Sequence, residues 1–384
     1  MVLNLDIDNF ISTHVTKRPE SLLRKDLEAN RALLEERLNG KRVLVIGGAG
    51  TIGSFYIKAV LRYRISRLVV VDINENGLTE LVRDLRSSTG YIIPPDFITY
   101  PMNFGDKVFE KMFRELGPFD IVANFAAHKH VRSEKDIFSI EAMIENNVLR
   151  AQRLLDLLLQ HPPEHFFCVS TDKAANPVNI MGASKKLMEE LIMAYSGKLK
   201  ITTARFANVA FSNGSLPQGF LERLSRRQPW SCPRGIRRFF VSPQESGELC
   251  LIASVLGESG DIIFPKLEEE RDMISFDGIA SDLLRYLGME ADICSTEEEA
   301  RQKALLLNEG STSYPVYFFD TDTSGEKPYE EFFTEREIID NERFINLGVI
   351  KKSIKRDFAE IDVIFSRLRQ LFDSGHVTKA ELVE

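Results

Sequence analysis

The chain has 384 residues, of which 43% are hydrophobic and 28% charged, a soluble globular composition with length for one large or two modest domains. Its formal net charge of −8 argues against a general nucleic-acid binder, whose footprint is basic. The four cysteines (Cys168, Cys232, Cys250 and Cys294) are scattered without CxxC spacing, which argues against a zinc site or disulfide framework and for a reducing cytoplasm.

The opening stretch, MVLNLDIDNFISTHVTKRPE, lacks the basic-then-apolar order of a signal peptide. No run approaches the ~20 apolar residues of a membrane helix, so no membrane partner is expected. Residues 1–40 read as a helical extension. Ser21 is placed to cap a helix through LLRKDLEANRALLEERL, with Leu23, Leu27, Leu34 and Leu38 on one face. Packing on its own domain is the plain reading, and a subunit contact in a homo-oligomer the sharper one. From residue 41 strands alternate with helices. RVLVIGG is a first strand followed by a helix from Ile52 to about Arg64; RLVVVDIN, FITYPMNF and DIVANFAA are the next three. A helix through IEAMIENNVLRAQRLLDLLLQ precedes HFFCVST, a fifth strand, and KITTARFANV is a sixth. Continuous apolar strands separated by helices predict a doubly wound parallel sheet of Rossmann type over residues 41–211. Residues 212–384 read as a smaller, mixed substrate-binding and C-terminal region, part of which is expected to return to the first domain. Within it, 288–330 has the charge of an exposed surface segment.

VLVIGGAGTIGS places Gly47, Gly50 and Gly53, with Thr51 and Ile52 between them, after a strand and at the start of a helix. Small residues there let the backbone approach a pyrophosphate, and the helix N-terminus offers N–H groups and a positive dipole end. The next strand ends at Asp72, about 20 residues on, where a carboxylate accepts hydrogen bonds from ribose hydroxyls and repels a 2′-phosphate. NAD is therefore expected over NADP, with Arg83 and Arg86 keeping NADP open. Polar groups follow three further strand ends: NFAAHKHV after the fourth, STDK after the fifth and RFANV after the sixth. His128 and His130, spaced i, i+2 without nearby acids, read as packing or hydrogen-bonding groups, and no metal is expected.

GGAGTIG, the Asp72 strand end, NFAAHKHV, Asn147 within NNV, STDKAANP and MGASK together resemble the extended short-chain dehydrogenase/reductases. Within them the chain is similar to the polysaccharide-biosynthesis UDP-N-acetylglucosamine 4,6-dehydratases over roughly residues 41–260. That resemblance implies an NAD-dependent hydro-lyase acting on a UDP- or GDP-linked N-acetylhexosamine. Beyond the glycine turn and Asp72, it implies cofactor contacts at Asn103, Ala126, Ala127, Lys129, Asn147 and Lys185. It also implies substrate contacts at His130, Asn208, Ser215 and Arg238, the arginine suited to phosphate oxygens. Asn213 stands where an arginine is common in the family, a departure that puts that contact in question.

Met181 stands four residues before Lys185, where ordinary family members have a tyrosine acid/base. Several dehydratases of this branch are similar in having methionine there. Met181 moves the proton-handling burden onto Thr171, Asp172 and Lys173, or a water. Thr171 is expected to hold the C4 oxygen, Asp172 and Lys173 to serve as acid and base for the elimination, and Lys185 to hold the nicotinamide ribose. A 4-epimerase and a non-catalytic NAD-binding protein are the rival readings.

Overall fold

The computed structural model describes residues 5–129, 134, 136–320, 330–352, 356–375 and 377–383. The chain forms two compact units, each assembled from three stretches of sequence.

The larger unit comprises residues 23–206, 246–266 and 331–384. Its first six strands are β1 (Arg42–Ile46), β2 (Arg67–Asp72), β3 (Asp96–Pro101), β4 (Ile121–Asn124), β5 (His165–Val169) and β6 (Ile201–Ala204). They pair in parallel in the order β3-β2-β1-β4-β5-β6. Ile262–Pro265 adds to β6 in parallel, Leu347–Lys352 pairs with it antiparallel, and Ile338–Asp340 pairs antiparallel with Leu347–Lys352 to complete a nine-stranded sheet. The sequence explains the burial: Val43, Leu44 and Val45 of β1 and Leu68, Val69 and Val70 of β2 are all fully buried. Consecutive rather than alternating burial marks strands covered on both faces. The order reverses between β1 and β4, and in such sheets ligands sit at the carboxyl ends of the strands flanking that reversal.

The smaller unit comprises residues 1–22, 207–245 and 267–330. One three-stranded sheet holds Met273–Ser275, Arg237–Val241 and Asn208–Val209; another holds Glu290–Cys294, Ser313–Phe319 and Trp230–Pro233. Phe10, Ile11 and Val15 are buried in the same core as Trp230, Phe240 and Leu283. Arg18 fastens the segment further: its Nε and Nη2 donate to the two Glu245 oxygens at 2.9 and 2.8 Å, and its Nη1 to Asp272 at 3.1 Å.

Three elements differ from the sequence reading. The 21–38 region is two helices, Arg24–Ala29 and Arg31–Leu38, broken at Asn30, whose side chain donates back to the Asp26 carbonyl. Leu23, Leu34 and Leu38 are nevertheless buried within this chain. The sixth strand stops at Ala204, and Asn208–Val209 belongs to a different sheet. Residues 290–319, read as a surface segment, contain two parallel strands joined by the helix Glu297–Ala304, with Val316 and Ala300 buried. Charge on the exposed face of that helix masked its buried side. Among the described residues no helix is long and apolar enough to cross a membrane.

Candidate active site

At the mouth of β1 the chain turns through Gly47 at φ +78°, a conformation that costs a side-chain-bearing residue roughly 1–2 kcal/mol. Space forbids a side chain as well. A Cβ on Gly47 would lie 2.6 Å from the Ala126 nitrogen, and one on Gly53 would lie 2.3 Å from the Gly47 carbonyl oxygen. The turn, the following helix (Thr51–Val60) and the end of β4 are thus packed backbone to backbone, as the missing side chains allow. Beside them lies a cleft of about 190 Å³. Gly47, Gly50, Asp72, Asn103, Ala126 and Ala127 line it, as do His128, read as a packing or hydrogen-bonding group, and Ile73, Met102, Phe104, Phe125 and Asn146, which the sequence reading did not single out. The Asp72 carboxylate is held in place, accepting from the Ala49 and Asn74 backbone N–H groups at 2.9 Å each. Asn103 accepts from the Gly105 N–H at 2.8 Å. Thr51 and Ile52 are half-buried in the first helical turn, and Lys129 is exposed beyond β4. His130 lies outside the described residues. Among the described residues no group of His, Cys, Asp and Glu is arranged to hold a metal ion.

Asn147 bonds to the backbone of His128, one of the residues that line the cleft. The helical stretch from Ile137 to Gln160 contains one wider, π-helical turn at Glu145–Leu149, a local irregularity often found at functional sites. It leaves Asn146 and Asn147 buried. The Asn147 amide clamps the backbone after β4, accepting from the His128 N–H at 2.8 Å and donating to the His128 carbonyl at 2.9 Å. It also donates to Ser184 Oγ at 3.4 Å.

Beyond β5 comes a short 3-10 turn, Asp172–Ala174. Thr171 Oγ1 donates to Asp172 Oδ1 at 2.6 Å, and Lys173 Nζ lies 3.3 Å from both Asp172 oxygens. Asp172 is buried, while the Lys173 side chain is 39% exposed, so the pair presents its amine outward. The helix Ile180–Tyr195 then starts on the Asn179 side chain, which accepts from the Gly182 N–H at 2.8 Å. Met181 in its first turn is buried, its N–H donating to Glu134 at 2.8 Å. One turn on, Lys185 is only 4% exposed. Burial holds its ammonium below the ordinary lysine range, and the neighbouring Cys168 and Glu189 oppose that in part. An amine in this state exchanges its proton more readily than an exposed one.

The remaining expected residues belong to the smaller unit. Asn208 Nδ2 donates to Glu330 at 2.6 Å and to the Phe239 carbonyl at 3.3 Å. Ser215 caps the helix Leu216–Ser225, its Oγ accepting from the Gln218 N–H. Arg238, in the adjacent strand, is 7% exposed and donates to the Arg237 carbonyl.

Residues 43–351 match the family described as polysaccharide biosynthesis protein. The chain belongs to that family. Its relatives include an uncharacterized membrane protein of Methanocaldococcus jannaschii, 29% identical over 81% of this chain and 85% of that protein. The capsular polysaccharide biosynthesis protein CapD of Staphylococcus aureus is 25% identical over 98% of this chain but only 58% of its own length. The inverting UDP-N-acetylglucosamine 4,6-dehydratase of Campylobacter jejuni is 26% identical over 60% of this chain and 68% of that enzyme. Among solved structures, Pen from Bacillus thuringiensis aligns with a TM-score of 0.66 at 22% identity, covering 83% of this chain and 90% of that one. DesIV of Streptomyces venezuelae, a dTDP-glucose 4,6-dehydratase with NAD and TYD bound, aligns at 0.57 and 20% identity, covering 86% and 97%. At these identities the structures establish a shared fold.

In this polysaccharide biosynthesis protein the sequence reading passed over a buried set behind the site: Ser170, Glu189 and Arg205. The signal was available. Glu189 stands i+4 from Lys185, on the same helical face, and an arginine ending a buried strand demands a partner.

Proposed function

We propose that this chain is an NAD-dependent nucleotide-sugar 4,6-dehydratase whose substrate is a UDP-linked N-acetylhexosamine. The observation that carries the reading is the Thr171–Asp172–Lys173 turn, a hydroxyl, carboxyl and amine within hydrogen-bonding reach of one another. The same helix that supplies buried Lys185 has Met181 in place of a tyrosine. Met181 leaves the proton handling to Thr171, Asp172, Lys173 or a water, and eliminating water needs an acid and a base side by side. Family membership and the Campylobacter jejuni relative support the same class.

The cleft fits a dinucleotide. A tight turn that admits no Cβ at Gly47 or Gly53, a helix N-terminus and a fixed carboxylate at the next strand end are the groups such a cofactor needs. Gly47, Gly50, Gly53 and Asp72 would hold it. When bound, NAD supplies a hydride acceptor for sugar C4 and a donor for C6.

The chain's own residues manage the protons. Thr171 orients the C4 oxygen, Lys185 places positive charge near it, and the hydroxyl proton freed as C4 is oxidised passes to solvent, which returns one proton to the Lys173–Asp172 pair at the end of the cycle. Once C4 is a ketone the C5 proton is acidic, and Lys173 takes it. Asp172 gives a proton to the departing C6 hydroxyl, which leaves as water. Lys173 returns a proton to C5 as C6 is reduced. The resting ion pair needs one adjustment for this: a single proton passed from Lys173 Nζ to Asp172 across 3.3 Å yields the neutral amine and carboxylic acid that elimination uses.

Incubation with UDP-N-acetylglucosamine tests the reading by mass. Loss of one water is expected. An isomer of equal mass would make the chain a 4-epimerase, and unchanged sugar nucleotide in the presence of NAD would overturn the reading.

A further inference from the structure

Behind the Thr171–Lys173 turn lies a cluster of charges that the proposed chemistry does not use. Arg205, at the end of β6, is fully buried, and all five of its guanidinium N–H groups are engaged. Two go to the Glu189 carboxylate at 3.0 and 2.7 Å, two to Glu337 at 3.0 and 2.8 Å, and one to the Phe332 carbonyl at 2.8 Å. Glu189 is 1% exposed and also accepts from Ser170 Oγ at 2.6 Å. Ser170 immediately precedes the turn, and Glu189 lies one helical turn beyond Lys185. A single carboxylate therefore joins the turn, the helix and a buried cation.

We propose that Glu189 is a positioning residue: through Ser170 it fixes the Thr171–Lys173 turn, and from the same helix it fixes the Lys185 ammonium, with Arg205 holding its carboxylate in place. A merely structural ion pair needs neither the Ser170 bond nor a place beside Lys185. Of the groups that act on Lys185, the Cys168 thiol on β5 is pushed up to about 12 by burial, so it is uncharged at neutral pH. Glu189, on the lysine's own helix, is the anion that remains. The inference rests on the dehydratase reading for the role of the turn, but not for the state of Lys185.

The test uses the full-length protein with Glu189→Gln and Ser170→Ala, and Asp261→Asn as a control that breaks a buried pair with Arg343 elsewhere in the unit. Trace acetylation by acetic anhydride, read by peptide mass spectrometry across pH, reports the protonation of Lys185 without any turnover. Glu189→Gln is expected to move the midpoint of Lys185 labelling down by about one pH unit or more. It should also cut kcat at least tenfold while KM changes within about twofold. Ser170→Ala should lower kcat with the labelling midpoint in place, and Asp261→Asn should lower Tm alone. A folded Glu189→Gln protein with wild-type labelling and kcat overturns the inference. If that variant does not fold, wild-type kcat in Ser170→Ala does so instead. A wild-type protein that dehydrates no sugar nucleotide overturns the dehydratase reading, and labelling then decides the role of Glu189 alone.

Discussion

His165, at the start of β5, gives a prediction about stability that can be worked from its surroundings. Thr202 Oγ1 donates its one proton to the Ala253 carbonyl at 2.8 Å, so at 2.8 Å from His165 it accepts from Nε2–H. That fixes the tautomer and leaves Nδ1 as a bare acceptor, buried and without a hydrogen-bond partner. A proton added at Nδ1 would have nothing to donate to. Burial, with the cations Lys200 and Arg37 nearby, pushes the imidazole from an ordinary 6.5 down to about 3. The unfolded chain therefore binds a proton below pH 6.5 that the folded chain refuses. This contribution to stability is complete above pH 6.5 and is lost as pH falls toward 3, at about 1.4 kcal/mol per pH unit. Between pH 7 and 4.5 the loss is about 3 kcal/mol, a substantial part of a typical domain's stability. Urea unfolding of wild type and His165→Gln at both pH values isolates it, because the carboxylates are common to both proteins. The variant should be less stable at pH 7, yet lose about 3 kcal/mol less on acidification. Equal losses in the two proteins would show that His165 is not the group concerned.

Lys173→Met should reduce dehydration about 10²–10⁴-fold, the usual cost of a lost general base. It should also abolish solvent-deuterium incorporation at C5, while the nicotinamide absorbance should still rise on adding sugar nucleotide. Wild type should bind NAD at least about tenfold, roughly 1.4 kcal/mol, more tightly than NADP, and Asp72→Ala should narrow the gap, as calorimetry on nucleotide-stripped protein would measure. Gly47→Ala should abolish NAD binding, since its Cβ would meet the Ala126 nitrogen at 2.6 Å; unchanged affinity would remove the turn from the cofactor seat. Deleting residues 1–22 should leave the smaller unit unfolded or aggregated, because it removes Phe10, Ile11 and Val15 from the core and leaves Glu245 and Asp272 without Arg18. A monodisperse truncated protein with native near-UV dichroism would contradict this.

The larger sheet was legible because its signals are local. Fully buried parallel strands read as unbroken Val/Leu/Ile runs, and Gly47 and Asp72 sit at fixed offsets from them. What escaped the reading depends on partners far away in the sequence. Arg205 has the look of one more residue in a sixth strand until Glu337 and Phe332 are seen to close on it. Asn147 was assigned by motif to the cofactor, but the clamp it forms on His128 follows from a π-helical turn that no periodicity announces. The N-terminal segment read as an appendage because a short amphipathic stretch looks alike whether its core lies in the next residues or two hundred positions on. Asp26 is a similar case: its carboxylate accepts from the Ile345 and Asn346 N–H groups, a pairing that local pattern cannot reveal.

The interleaving of the two units has a consequence for how the chain comes to be folded. During synthesis residues 5–22 emerge well before Glu245, Asp272 and Trp230, the groups that later bury them. The nine-stranded sheet likewise gains its Leu347–Lys352 strand only near the end of translation. Long-range closures of this kind slow folding and expose unfinished edges meanwhile. No single cut in the chain would release either unit whole, so recombining its halves with those of a relative should fail unless several junctions are exchanged together.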